Sequence, residues 1–319
     1  MGGDFGPPVV VPGAVAALRE AKDFSLALYG EADAIGAQLA ALDAADLDVA
    51  VHPCRETIDM AESPAAAIRA KPDSSIVRGL TDHKAGRVDA FFSAGSTGAV
   101  VAASLIVVGR LPSVDRPAIA SVIPTIDGSL LLLDVGANVQ CTPQLLLTFA
   151  RMGDVYAREM LGHDRPRIGL LNIGEEESKG SELTIAAHRL LRASRLNFVG
   201  NVEARRLLQG VADVVVTDGF TGNMALKLIE GFAPFLQGLA ERGAGAEERA
   251  VLLPALRILQ RRLDYAEYGG AMLLGIDGVS VIGHGASSRR AVRSAVLVAA
   301  GLARRDIPAK LQARLHAGD

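Results

Sequence analysis

Lysine is scarce in this sequence: only six of its 33 basic residues are lysines. One of them, Lys179, follows three consecutive carboxylates, Glu175, Glu176 and Glu177, in the stretch RIGLLNIGEEESKGSELT (Arg167 to Thr184). A primary ammonium at a loop can neutralise a phosphate or protonate a departing group. It can equally sit in an exposed ion pair with its acidic neighbours, which is worth little. The carboxylates do not suggest a magnesium site, because three adjacent residues cannot all face one ion and Mg²⁺ draws its one or two carboxylates from different elements. No metal is expected.

Four further clusters carry groups of the same kind. Gly95-Ser96-Thr97-Gly98 offers two hydroxyls and several backbone N–H groups at a helix start, suited to a phosphate or a developing oxyanion, although Ser and Thr also cap helices. In Asp218-Gly219-Phe220-Thr221-Gly222-Asn223, Asp218 and Asn223 flank a turn and could bond the local backbone or orient a substrate. Gly136-Ala137-Asn138 is followed by Cys141, which has no neighbouring histidine or basic cluster to make it a thiolate and reads as a small buried residue. His284, between two glycines in GHGASS with Ser287 and Ser288, is a candidate general acid.

What positions these groups is a repeated pattern of apolar strand, glycine-bearing turn and helix. Ile168–Ile173 leads through Gly174 to a helix that starts at Ser181, and Asp89–Ser93 leads to a helical run over Ala99–Val108. Ser129–Val135, Asp213–Thr217 and Gly278–Ile282 are followed by helices after Pro143, from Met224 and from Arg289. Continuous apolar strands alternating with helices indicate a parallel sheet covered on both faces. In such a sheet the turns fall on one edge, where α/β folds hold ligands.

The chain has 319 residues and is 50% hydrophobic, enough for a large core. It lacks Trp, has 4% aromatics and a net charge of −3, which argues against a nucleic-acid platform. Its two cysteines, Cys54 and Cys141, form no CxxC spacing, and a cytoplasmic setting is expected. No signal peptide and no apolar run of the roughly 20 residues that span a bilayer is visible. From Met224 to Leu263 the pattern stays helical apart from Arg242–Glu248, which predicts a projecting helical arm. Its apolar cluster Val251-Leu252-Leu253, with Pro254 shaping a turn, is read first as a subunit interface and second as a lipid contact. Arg257, Arg261 and Arg262 on the arm, with Arg289, Arg290 and Arg293 near the last turn, are the basic clusters available to an acidic partner.

Several strings are long and unusual: MGGDFGP at Met1, SAGSTGA at Ser93, DRPAIA at Asp115, LLLDVGAN at Leu131, LLNIGEEESKGSELT at Leu170, NFVGNVE at Asn197, DVVVTDGFTGN at Asp213 and DYAEYGGAMLLG at Asp264. Together they resemble, over nearly the whole chain, the bacterial phosphate acyltransferases of phospholipid synthesis, the PlsX family of acyl-carrier-protein:phosphate transacylases. The family pattern places a short apolar strand ahead of MGGD.

The resemblance implies one homodimeric, three-layer α/β/α domain over residues 1–319 with a mostly parallel sheet, similar to isopropylmalate dehydrogenases and phosphotransacetylases. It implies transfer of an acyl group from acyl-carrier protein to inorganic phosphate, for a membrane glycerol-3-phosphate acyltransferase, with no cofactor. Phosphate is then the nucleophile and no covalent enzyme intermediate is needed. On that reading Ser96 and Thr97, with amides at Gly95 and Gly98, cradle phosphate or oxyanion. Lys179, on the loop opened by Gly174, neutralises charge. Asn138 and Asn223, with Asp218 and Gly219, position the thioester, and His284 or Lys179 assists the leaving sulfur beside Ser287. The alternatives are a phosphotransacetylase using acyl-CoA and a dinucleotide-dependent dehydrogenase; the latter lacks its GxGxxG fingerprint here.

Overall fold

The structure is a computed structural model that describes residues 2–243, 245–263 and 269–316, without the side chains of 246 and 257–263. The chain runs through α1 (Pro7–Ala21), β1 (Leu26–Gly30), α2 (Ala32–Ala41), β2 (Val49–Pro53), α3 (Pro64–Ala70), α4 (Ser75–Lys84) and β3 (Phe91–Ser93). Helix α5 (Thr97–Ala103) widens into a π turn at Ser104–Val108; β4 (Ala118–Thr125), β5 (Gly128–Leu133) and α6 (Pro143–Leu161) follow. Next come β6 (Ile168–Asn172), α7 (Glu182–Ala193), β7 (Phe198–Glu203), a 3-10 turn at Ala204–Gln209 and β8 (Val214–Val216). Helices α8 (Gly219–Gly243) and α9 (Ala246–Leu263) are consecutive, and β9 (Ala271–Leu274), β10 (Ser280–Ile282), α10 (Arg289–Arg304) and α11 (Ile307–His316) complete the chain.

Two compact units are distinguished, and the α/β pattern with mostly parallel pairing holds in both. The first comprises Met1–Pro117, Glu159–Gly162 and Ala266–Gly318. In it β1 pairs in parallel with β2, β3 pairs in parallel with β10, and β10 pairs antiparallel with β9. The second comprises Ala118–Arg158 and His163–Tyr265. Its strands lie in the order β4-β5-β8-β6-β7, antiparallel only in the β4–β5 hairpin.

The second unit shows why its strands read as unbroken apolar runs. Leu131, Leu132, Leu133, Ile168, Leu170 and Val214–Val216 are fully buried, as strands flanked on both faces must be. Gly153 lets α6 approach β8 closely: a methyl there would meet Val214 Cγ1 at 2.5 Å. Helix starts follow their caps, with Ser181 accepting from Thr184 N (3.3 Å) and Ser288 from Ala291 N (3.2 Å).

The helical stretch after β8 differs in detail from the expectation. Helix α8 begins at Gly219, five residues before Met224, and Pro254 lies inside α9 instead of forming a turn; the break falls between Gly243 and Ala246. Among the described residues no helix is long and apolar enough to cross a membrane.

Candidate functional site

Parallel pairing of β5, β8 and β6 puts the loops after all three strands on one edge of the second unit. The first of these loops is organised by Asp134, a fully buried residue not singled out in the sequence. Its Oδ1 accepts from the backbone N–H groups of Ile119 (3.0 Å), Gly136 (3.2 Å) and Ala137 (3.1 Å). Its Oδ2 accepts from Asn138 N (2.6 Å) and Asn138 Nδ2 (3.0 Å). Burial pushes the Asp134 carboxyl above the ordinary range, although these donors pull the other way. Asn138 is thus buried with its amide turned to Asp134, and Cys141 Sγ reaches its carbonyl at 3.5 Å.

The start of α8 docks on this loop. Gly219 N donates to Asn138 O at 2.7 Å. A methyl at Gly219 would stand 2.7 Å from Asp134 Oδ2, and one at Gly222 would overlap the Asp134 carbonyl oxygen. Asp218 stays at the rim and caps the helix, accepting from Thr221 N (2.9 Å) and Thr221 Oγ1 (2.7 Å). Asn223 is half-buried with its side chain beside Gly136. Asn138, Gly219, Asp218 and Asn223 are therefore brought together.

The loop after β6 presents Lys179. Asn172 Nδ2 donates to Lys179 O (3.0 Å), Lys179 N donates to Glu176 O (3.1 Å), and Asn201 Nδ2 donates to the same Glu176 carbonyl (2.8 Å). Gly180 has φ +103, and a side chain there would overlap Asn172 and Thr184. Buried Gly174 opens the loop, where a methyl would meet Lys179 Cγ at 3.0 Å. The glutamates do not pair with the lysine: Glu175 is bound by Arg206 and Glu177 by Arg192. The exposed Lys179 ammonium has no carboxylate partner among the described residues. Asn201 is another residue the sequence did not flag; it is 8% exposed, and its Oδ1 has no hydrogen-bond partner among the described residues.

In the first unit, the parallel β3–β10 pair brings the turns after those two strands together. Gly283 N donates to Ser93 O (2.8 Å), and Gly95 N donates to Ser93 Oγ (3.1 Å). Buried Ser96 caps α5, its Oγ accepting from Ala99 N at 3.4 Å, while Thr97 and Gly98 are exposed. His284 is exposed, and its Nδ1 accepts from Ala286 N at 3.2 Å, which leaves the proton of the neutral ring on Nε2. Ser287 is buried, its N–H on the His284 carbonyl (2.9 Å). Asp4 N donates to Gly285 O (2.8 Å), so the MGGD string seats against this turn.

The expected interaction surfaces are placed as follows. Val251 and Leu252 are exposed on α9, and Leu253 is half-buried. A longer apolar row runs along α8: Phe220, Met224, Leu228, Phe232, Phe235 and Leu239, each at least half exposed. Arg293 is engaged by Glu20 (2.6 Å), and Arg289 and Arg290 are exposed. The side chains of Arg257, Arg261 and Arg262 lie outside the described residues, as does the 264–268 part of DYAEYGG.

Comparison with known proteins agrees with this organisation. The family model described as "Fatty acid synthesis protein" matches residues 1–310. A phosphate acyltransferase of Heliobacterium modesticaldum is 48% identical over 307 residues, covering 94% of this chain and 91% of that protein. One from Moorella thermoacetica is 47% identical over 304 residues, covering 94% and 89%. Among solved structures, a phosphotransacetylase from Streptococcus pyogenes matches with a TM-score of 0.62 at 18% identity, over 92% of this chain and 90% of that one. A branched-chain phosphotransacylase from Enterococcus faecalis matches with a TM-score of 0.54 at 14% identity, over 89% and 99%. At such identities the structures establish the fold.

Proposed function

The chain belongs to the fatty acid synthesis protein family, whose relatives above carry the name phosphate acyltransferase, and from that premise we propose that it transfers a fatty acyl group from acyl-carrier protein to inorganic phosphate. One observation supports the reading most directly: Lys179 is an exposed cation on a clamped strand-end loop, and its neighbours Glu175 and Glu177 are taken by arginines. A dianion is what such a lysine can serve.

In the reaction a phosphate oxygen attacks the thioester carbonyl carbon, the C–O bond forms, and the carbonyl electrons move onto oxygen. Collapse of that oxyanion breaks the C–S bond, giving acyl phosphate and a thiolate that takes up a proton. The protein must hold the dianion, stabilise the oxyanion and help sulfur leave. Thr97 and Ser96, with the amides at Gly95 and Gly98, are assigned to phosphate or oxyanion; the capping bond uses Ser96 Oγ as acceptor and leaves its hydrogen to donate. Lys179 neutralises charge on the Gly174 loop. Asn223, with Asp218 and Gly219, positions the thioester, and Asn138 acts there through the Asp134 loop. His284 Nε2–H or Lys179 protonates sulfur, with Ser287 fixing the His284 turn.

The apolar row of α8 suits a homodimer face, and Val251, Leu252 and Leu253 suit a lipid surface from which acyl phosphate reaches a membrane glycerol-3-phosphate acyltransferase. The test is hydroxylamine trapping of acyl phosphate, with purified protein, phosphate and either acyl-carrier-protein or coenzyme A thioesters. Product from the protein-borne donor is expected. Turnover with the coenzyme A donor alone would mark a phosphotransacetylase, and none with either would overturn the proposal.

A further inference from the structure

The apolar run Ile168–Ile173 overshoots its strand by one residue: β6 ends at Asn172, and Ile173 stands 80% exposed beyond it. A lone exposed aliphatic is ordinary on a protein surface. This one is held beside a cation. Asn172 Oδ1 accepts from Ile173 N (2.9 Å), and Asn172 Nδ2 donates to Lys179 O (3.0 Å). A single side-chain amide therefore ties the backbone of an exposed isoleucine to that of an exposed lysine.

The neighbouring loops bring two more apolar side chains to the same edge of the second unit. The bond from Gly219 N to Asn138 O joins the loop after β5 to the start of α8, and the residues that follow this pair, Val139 and Phe220, are 64% and 61% exposed. Leu133 of β5 and Leu170 of β6 both pair with Val216 of β8, so two residues further along Asn172 comes level with Asp218, roughly 5 Å away. The core beneath is already closed by buried Leu133, Leu171 and Val216, so none of the three exposed residues is needed there. They share their loops with Asn138, Asp218 and Asn223, the groups assigned to the thioester, and with Lys179.

We propose that Ile173, Val139 and Phe220 form the subsite for the aliphatic chain of the acyl group, with Lys179 beside them facing the phosphate. The inference rests on the acyl-transfer reading and locates the apolar part of its substrate. The pattern of charge commits the patch to an amphiphile: an acyl phosphate is an anionic head on a hydrocarbon tail. This edge offers an ammonium and an exposed aliphatic side chain tied by one asparagine amide. Covering Ile173, Val139 and Phe220 with the chain removes apolar surface from water on both partners, so a longer chain binds more tightly until the patch is full. A second copy of this chain has its own place further out on α8, where Leu228 lies about 12 Å along the axis from Phe220.

Dodecylphosphonate and ethylphosphonate, unreactive mimics with the same dianionic head, separate head from tail. In calorimetric titration below the micellar concentration, the dodecyl compound should bind at least about a hundredfold more tightly than the ethyl one. Ile173→Ser and Val139→Ser should each reduce that ratio at least about fivefold, and Lys179→Ala should weaken both compounds. Ile126→Ser is the control: this residue is 76% exposed in the turn between β4 and β5, at the opposite edge, and its loss should leave the ratio unchanged. The kcat/KM preference for hexadecanoyl over butanoyl acyl-carrier protein should fall with the phosphonate ratio, while Tm and solution mass keep their parent values. An unchanged ratio in both the Ile173 and Val139 variants overturns the subsite. So does a lowered mass, which would make the patch a contact between copies. Tail-dependent binding that these variants reduce, without acyl-phosphate formation from any donor, would overturn the reaction while supporting the subsite.

Discussion

Asp134 and Asn138 hold each other in the interior: one carboxylate oxygen takes both the backbone N–H of Asn138, at 2.6 Å, and its side-chain amide, at 3.0 Å. The pair sets the loop on which α8 begins. Asp134→Asn turns an amide group towards N–H donors and should cost about 2–3 kcal/mol of stability, measured by chemical denaturation. An unchanged midpoint would show that the loop is set by other contacts.

Gly222→Ala tests the same junction from the helix side. The new methyl falls on the Asp134 carbonyl oxygen, backbone that cannot give way. A loss of about 2 kcal/mol and a Tm lower by about 5 °C are expected. Gly231→Ala on the same helix, with open space around it, should leave Tm the same or higher.

Lys179→Ala should lower acyl-phosphate formation at least about tenfold, the equivalent of roughly 1.4 kcal/mol in the barrier, with Tm unchanged because the ammonium makes no ion pair among the described residues. Wild-type kinetics in this variant would remove Lys179 from the reaction.

Cys141→Ser should keep most of the activity, because phosphate itself is the nucleophile and the Cys141 thiol is turned to the Asn138 carbonyl. A folded but inactive variant would point instead to an acyl-enzyme thioester.

Asp213 gives a pH signature. Its burial favours the neutral form, but Arg167 outweighs it through Nη2 (2.7 Å), Nε (3.1 Å) and its backbone N–H (2.7 Å), holding the carboxyl below the ordinary range. A depressed folded pKa stabilises above the unfolded value of about 3.9 and loses that contribution as pH falls through the folded value. Asp213→Asn should therefore be less stable than the parent at pH 6, by a margin that shrinks below about pH 4. Denaturation midpoints across that range decide it, and a constant margin would assign the effect to packing.

On the helical pair, Leu252→Asp with Leu253→Asp should weaken liposome sedimentation while the solution mass stays that of a dimer. Leu228→Asp with Phe232→Asp, on the α8 row, should lower the mass instead. The opposite assignment of the two effects would exchange the roles proposed for the two helices.

Much of this architecture was legible because burial writes itself into sequence. The runs at Leu130–Leu133, Ile168–Leu171 and Val214–Val216 are apolar on both faces, and Ser181 and Ser288 cap the helices they precede. The start of α8 was misread because Gly219 and Gly222 look like turn residues, whereas they admit the buried Asp134 loop. Pro254 suggested a turn for a similar reason and is accommodated within α9. Asp134 and Asn201 escaped notice because their work is done mostly on backbone groups, Asp134 within its own loop and at Ile119, Asn201 at the Glu176 carbonyl of another loop. The partners of Glu175 and Glu177, Arg206 and Arg192, lie 31 and 15 positions away, beyond any local pattern.

The Lys179 loop is fixed by the amides of Asn172 and Asn201 and by the confined Gly180, none of which touches the lysine's own amine. The side chain at 179 is therefore a replaceable part on a finished mount. With Cys54 and Cys141 first replaced by serine, a cysteine installed there and alkylated with bromoethylamine would carry an amine of nearly the same reach, and the reagent's success or failure would report the amine at 179, free of any change in its support.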